Sequence, residues 1–269
     1  MGIKLVAIDI DDTLLNPEGQ LAGETINAIK KTIQKGVKVV LCTGRPLAGV
    51  TTFLNQLGIS GDDQYVITYN GAIIETVSGH RLAQHTLDFE DYLAADKLSY
   101  ELNVHYNILD DESRIYTSNR DVGRITVIQA AENDEGLFVR NPEEMPQDLT
   151  VSKIMFVDEP EVLDAQIHKI KETFDDRYYV VRSLPEFLEV LNKKANKGNA
   201  LTDLLSELGL KKEEVMAMGD QHNDLTMFAV AGTTVAMGNA IPELKDVATY
   251  VTESNANHGV AVALERYVI

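Results

Sequence analysis

The feature that most constrains this chain is an apolar run, Ile3-Lys4-Leu5-Val6-Ala7-Ile8, that ends abruptly in Asp9-Ile10-Asp11-Asp12-Thr13. A second run, Val37-Lys38-Val39-Val40-Leu41-Cys42, ends in Thr43-Gly44-Arg45-Pro46. Between them Ile26, Ile29 and Ile33 recur at three- and four-residue spacing until Gly36 stops the pattern, which predicts a helix. Strand, helix, strand at this length is a βαβ unit. Its two strands are expected to be parallel and adjacent, with Thr43 beside Asp9 at one sheet edge.

Carboxylates one residue apart at a strand end suit a bound Mg²⁺ and an aspartate nucleophile. The plainer reading is a turn or a helix cap. An EF-hand fits poorly, because Leu14 stands where that loop needs Gly and Gln20 where it needs a bidentate Glu. Three further segments bear on the choice. The Thr43 hydroxyl and the N–H groups after it could hold phosphate oxygens. Gly219-Asp220-Gln221-His222-Asn223-Asp224 follows the strand pattern Val215 to Met218, with Asp220 as the natural metal ligand and Asp224 as its supporting partner. Asn223 and Asp224 could instead cap a helix beginning near Leu225. Lys197 precedes a helical pattern of Leu201, Leu204, Leu205 and Leu208, where an ammonium could neutralise both carboxylate and phosphate.

In this order D-x-D-x-T, T-G-R, Lys-Gly and G-D-x-x-N-D resemble the four motifs of the haloacid dehalogenase superfamily of phosphatases. Thr43-Gly44-Arg45-Pro46, Tyr69-Asn70-Gly71-Ala72 and Asn257-His258-Gly259-Val260-Ala261 resemble its Cof-type branch, and the amino-terminal stretch is similar to sugar phosphatases of that branch. The resemblance implies an α/β fold: a Rossmann-like parallel sheet core with an inserted α/β cap domain of the C2 type. It implies that Asp9 is the nucleophile, forming an aspartyl-phosphate, and that Asp11 is the general acid and base. It implies Mg²⁺ held by Asp9, the Asp11 carbonyl and Asp220, with Asp224 orienting the metal shell. Phosphate oxygens would meet the Ile10 N–H, Thr43, Gly44, Lys197 and Asn223, with Arg45 adding local positive charge. One departure stands out: the family usually has Gly after the second aspartate, where this chain has Asp12. Its carboxylate is expected to point outward.

The residues expected in the sheet lie in the first and last thirds of the chain, so something must interrupt the core. Between about Ala83 and Pro185 the pattern changes, with helical stretches at Glu90 to Leu102 and Glu161 to Phe174 and strand-like runs at Ile115 to Thr117, Ile154 to Val157 and Tyr178 to Val181. The expected division is therefore a core of residues 1–82 plus 186–269 and an insert of 83–185. Specificity is expected in the insert, since the motifs read only the phosphate.

A net charge of −18 argues against nucleic acid or an anionic membrane as partner. A single cysteine, Cys42, and a first strand that begins at once fit a cytoplasmic protein without a signal peptide. The expected substrate is a small phosphorylated metabolite, a sugar phosphate first of all, and the expected assembly a monomer or homodimer. Two alternatives stand beside a phosphatase: a sugar phosphomutase on the same motifs, which returns the phosphate to a sugar, and a non-enzymatic phospho-acceptor regulator, which would combine clustered aspartates, Thr and Lys on a similar sheet. His222 falls at a variable motif position and is expected to be solvated, because Mg²⁺ prefers oxygen.

Overall fold

In a computed structural model that describes residues 2–132, 135–174 and 176–269, the chain forms two contact units. The first comprises Met1–Gly44, Val50–Ala83 and Asn196–Ile269; the second comprises Arg45–Gly49 and Gln84–Ala195. Of the segments read from sequence, Met1 and positions 133, 134 and 175 of the insert lie outside the described residues.

The amino-terminal segment runs β1 (Leu5–Ile8), α1 (Gly23–Gln34), β2 (Lys38–Cys42), α2 (Ala48–Leu57), β3 (Tyr65–Thr68), β4 (Ile73–Thr76) and β5 (Arg81–Gln84). Every residue of β1 is buried, as expected of a strand covered on both faces. In α1 the apolar spacing placed the helix correctly, but the buried face is Thr25, Ala28, Ile29 and Thr32, with Ile26 and Ile33 only half-buried. The expected βαβ pairing is present: β1 and β2 are parallel, with Ile8 opposite Leu41.

The inserted segment runs α3 (Phe89–Leu102), β6 (Tyr106–Asp110), β7 (Ile115–Thr117), α4 (Arg124–Glu132), β8 (Leu137–Val139), β9 (Val151–Val157), α5 (Pro160–Phe174), β10 (Tyr178–Leu184) and β11 (Phe187–Asn192). Its sheet has the order β10-β11-β9-β6-β7-β8. All pairs are antiparallel except β7 with β8, which α4 joins as a crossover. Tyr106, Ile108, Ile154, Phe156, Leu188 and Val190 make one apolar face, packed with Tyr92, Leu163, Ile170 and Phe174 from α3 and α5. The second boundary falls at 195/196, not at 185/186. The physical reason is β11, which pairs with both β9 and β10 and so completes the insert's sheet before the chain leaves it.

The return segment runs α6 (Lys197–Leu208), β12 (Val215–Gly219), α7 (Leu225–Val230), β13 (Thr233–Ala236), α8 (Pro242–Val247), β14 (Tyr250–Val251) and α9 (Gly259–Tyr267). Among the described residues the main sheet is eight-stranded, ordered β14-β13-β12-β1-β2-β3-β4-β5. The six strands from β14 to β3 are parallel, and β4 is antiparallel to β3. The chain winds outward from β1 through β2 and β3 in one direction, and after the insert through β12, β13 and β14 in the other. That reversal at β1 is the switch point beyond whose carboxyl end an open α/β sheet binds ligands. No helix among the described residues is long and apolar enough to cross a membrane.

Candidate active site

The loop after β1 is a wide turn rather than a regular helix. Leu14 N donates to Asp9 O (3.2 Å) and Leu15 N to Ile10 O (3.0 Å), so each bond spans five residues. Asp11 is extended (φ −73°, ψ 129°) and Asp12 lies in the left-handed region (φ 57°, ψ 5°). This explains why glycine suits the position, and why aspartate, which tolerates the region better than most side chains, can replace it. Asp12 is exposed, as expected. Distant side chains anchor the loop: Asn239 Nδ2 donates to Asp12 O (2.8 Å) and Asn255 Nδ2 to Leu15 O (3.0 Å). Asp12→Gly is therefore expected to leave stability within about 0.5 kcal/mol, because relieved backbone strain offsets the added freedom of the unfolded chain. Asp12→Val is expected to cost about 1–2 kcal/mol, because a branched side chain resists positive φ. Urea denaturation of both variants checks this pair.

Asp9 lies at the carboxyl end of β1, only 7% exposed, with its N–H donating to Met218 O of the neighbouring β12 (3.1 Å). Lys197, wholly buried as the first residue of α6, reaches it from 188 residues away: Nζ is 2.5 Å from Asp9 Oδ1 and 2.7 Å from Asp224 Oδ1. Asn196 caps that helix, its side chain accepting from Asn199 N (2.8 Å). Asp224 spends its other oxygen on the loop after β12, accepting from Asp220 N (2.9 Å) and Gln221 N (3.0 Å). It does not cap α7 with its side chain. Asp220 accepts from the Thr13 hydroxyl (2.8 Å), which ties the β12 loop to the β1 loop.

Two glycines make these approaches possible. A Cβ on Gly219 would stand 2.4 Å from the Asp224 carboxyl carbon, and a Cβ on Gly198 only 2.2 Å from Thr226 O. The Gly before Asp220 and the Gly after Lys197 are thus packing requirements of the loops that carry the charges.

Carboxylate oxygens of Asp9, Asp220 and Asp224 lie within 4.8 Å of one another. Burial pushes the Asp9 carboxyl well above the ordinary carboxylate value; Lys197 pulls it back, while Asp224, Asp220 and Asp11 push it further up. Burial likewise pushes Asp220 up to about 7, with Asp224 adding to the effect and the Thr13 hydrogen bond opposing it. Burial alone would pull Lys197 down, but Asp224 and Asp9 hold it above the usual lysine value, so it is an ammonium. Three carboxylates against one ammonium leave the pocket short of positive charge. A hard dication with oxygen ligands fits that donor set. Because both Asp224 oxygens are already committed, the ligands open to it would be Asp9, Asp220 and a backbone carbonyl of the β1 loop.

The remaining residues singled out from sequence are placed as follows. Thr43, fully buried, directly follows β2, and Gly44 comes next. Asn223 sits in the turn before α7, with Nδ2 donating to Asn70 Oδ1 (3.0 Å). Ile10 has its side chain wholly buried, so only its backbone can face a ligand. Asp11 is exposed in the β1 loop. Arg45, half-buried, belongs to the second contact unit. His222 is exposed. Thr13 and Asn70 are legible in the sequence only as letters of their motifs. No local signal marks either, because both act on side chains more than 150 residues away.

A family model described as haloacid dehalogenase-like hydrolase matches residues 6–264. YxeH of Bacillus subtilis is 41% identical over 267 residues, covering 99% of this chain and 98% of its own. The 5-amino-6-(5-phospho-D-ribitylamino)uracil phosphatase YwtE of the same organism is 30% identical over 98% of both chains. The crystal structure of a haloacid dehalogenase-like hydrolase from Bacteroides thetaiotaomicron superposes with a TM-score of 0.89 at 28% identity, covering 98% of this chain and 99% of that one.

Proposed function

The chain belongs to the haloacid dehalogenase-like hydrolase family, as a phosphatase, and within it we propose a Mg²⁺-dependent hydrolase of small phosphorylated metabolites, sugar phosphates foremost. The observation that carries this reading is Asp9 at the end of the central strand, 2.5 Å from a buried ammonium and within reach of two further carboxylates. YwtE, whose name gives it a uracil carrying a phosphorylated ribitylamino chain as substrate, supports the class of small phosphorylated metabolites.

In this reading an Asp9 oxygen attacks phosphorus, and the bond from phosphorus to the leaving alkoxide breaks. Asp11, exposed in the same loop, donates its proton to that leaving oxygen. The aspartyl-phosphate on Asp9 is then hydrolysed by a water from which Asp11 takes a proton, releasing inorganic phosphate and restoring both carboxyl groups. Lys197 offsets charge on Asp9 and on the transferring group, and Thr43, Gly44, Asn223 and the Ile10 N–H hold its oxygens. Asp9, Asp220 and the Asp11 carbonyl would hold Mg²⁺, which supplies charge stabilisation to the transferring phosphoryl group when bound. The single cysteine, Cys42, which is buried and has no second cysteine to pair with, supports a cytoplasmic site of action.

The test is release of inorganic phosphate from a panel of sugar phosphates and an aryl phosphate. Turnover with Mg²⁺ that stops on chelation is expected; turnover indifferent to chelation would overturn the metal assignment. Mg²⁺ at about a hundred times its Kd should also stabilise the fold by about 2.7 kcal/mol at pH 8. That gain should shrink as pH falls through about 7, where Asp220 takes up a proton and no longer ligates. Melting curves with and without Mg²⁺ at three pH values measure it.

A further inference from the structure

The segment Tyr69-Asn70-Gly71-Ala72 plays no part in the chemistry above, yet it lies where three loops of the site meet. It forms the turn between β3 and β4, and Asn70 there is left-handed (φ 55°, ψ 29°) and 1% exposed. Its backbone N–H donates to Thr43 O (2.8 Å), which ties it to the end of β2. Its carboxamide lies directly over Gly44: a Cβ there would stand 3.1 Å from Asn70 Nδ2. Its Oδ1 accepts from Asn223 Nδ2, 153 residues later in the chain. Gly71 (φ +98°) closes the third side, since a Cβ on it would fall 2.4 Å from the backbone oxygen of Asn196, the cap of the helix that begins with Lys197.

We propose that Asn70 is a positioning residue for the phosphate site, fixing the Asn223 carboxamide and the Thr43-Gly44 backbone in one geometry. The chemistry selects asparagine at this position. Accepting from Asn223 requires a carbonyl oxygen at that reach, and an aspartate would supply one only by adding charge beside Asp9, Asp220 and Asp224. The left-handed backbone favours Gly or Asn, and of the two only Asn carries the acceptor. A freely rotating Asn223 amide could turn its oxygen toward a phosphate, which would repel; the bond to Asn70 commits the amide to one orientation.

This inference rests on the phosphatase reading, and in particular on Asn223 holding phosphate. The experiment compares Asn70→Gly, Asn223→Ala and the double variant, using KM and kcat for a hydrolysed sugar phosphate and the inhibition constant of inorganic phosphate. Asn70→Gly keeps the positive φ without strain while deleting the carboxamide, so its melting temperature serves as the control for a merely structural role. The expected result is a rise of about tenfold in KM and in the phosphate inhibition constant, the loss of one well-placed hydrogen-bonded anchor, with a smaller change in kcat. The double variant should fall short of the sum of the two single effects, because Asn70 acts in part through Asn223. Wild-type constants in Asn70→Gly alongside an impaired Asn223→Ala would overturn this inference and leave the phosphate site standing. Wild-type constants in Asn223→Ala would overturn the phosphate-binding reading itself. Should the glycine variant fail to fold, Asn70→Ser, whose hydroxyl is too short to reach Asn223, carries the same comparison with the same outcomes.

Discussion

Replacing Asp9 by asparagine is expected to lower phosphate release by about 10⁴-fold while leaving the fold at least as stable as the wild type. The two effects have one cause. Asp9 is the group the proposed chemistry requires as a nucleophile, and an amide cannot take that role. Its carboxylate is also buried among Asp220 and Asp224, where burial and like charge disfavour the ionised form. Asparagine has the same shape, still accepts from Lys197, and removes one negative charge from a pocket that has too many. Phosphate release and urea denaturation on the same preparation measure both sides. A variant that retains turnover would remove Asp9 from the nucleophile role; one that unfolds more easily would show that Asp9 serves the fold through Lys197 instead.

Lys197→Met is expected to destabilise the protein by about 3–5 kcal/mol, the cost of breaking a buried pair by removing one partner. Methionine keeps most of the stem volume, so little of that loss comes from packing. Asp9 and Asp224 would each lose an ammonium at 2.5 and 2.7 Å, in a position with no exposure to water. Without the cation the Asp9 carboxyl would lie still higher in the folded state than in the unfolded chain. A group raised in this way contributes stability at acid pH that is lost as pH rises through its folded-state value. The variant should therefore approach wild-type stability near pH 4 and fall behind it by pH 8. Denaturation at both pH values tests this, and an equal deficit at the two would assign the loss to packing. Activity should fall by about 10³-fold, since charge stabilisation is the main device of phosphoryl transfer.

The parallel pairing of β1 and β2 followed from two apolar runs separated by one helical pattern, and β7 and α6 fell where their residues predicted. The parts missed were those whose signal is not local. Phe187–Asn192 reads as a short apolar stretch of no particular allegiance, and only its pairing with β9 and β10 assigns it to the insert. The hairpin of β4 and β5, which extends the parallel sheet in antiparallel fashion, had no place in a βαβ reading. On α1 the apolar spacing found the helix but not its buried face, because small and threonine side chains fill the contact where long ones would not fit.

By itself the amino-acid sequence determined which chemistry the chain could attempt: carboxylates and a lysine at or beside strand ends, in the order of a known hydrolase family, with an insert between them. Strand ends and turns are local patterns of polarity, so a linear text contains them. Only the tertiary structure decided which of those groups meet. It put Lys197 between Asp9 and Asp224, committed both Asp224 oxygens, tied Thr13 to Asp220, and drew Asn70 across to Asn223. Those contacts span 27 to 207 residues apart from the short loop bond within the Asp220 turn. No pattern of neighbours in the chain encodes them; they exist because the sheet brings the carboxyl ends of β1, β2 and β12 to one edge and the glycines let the loops close upon it.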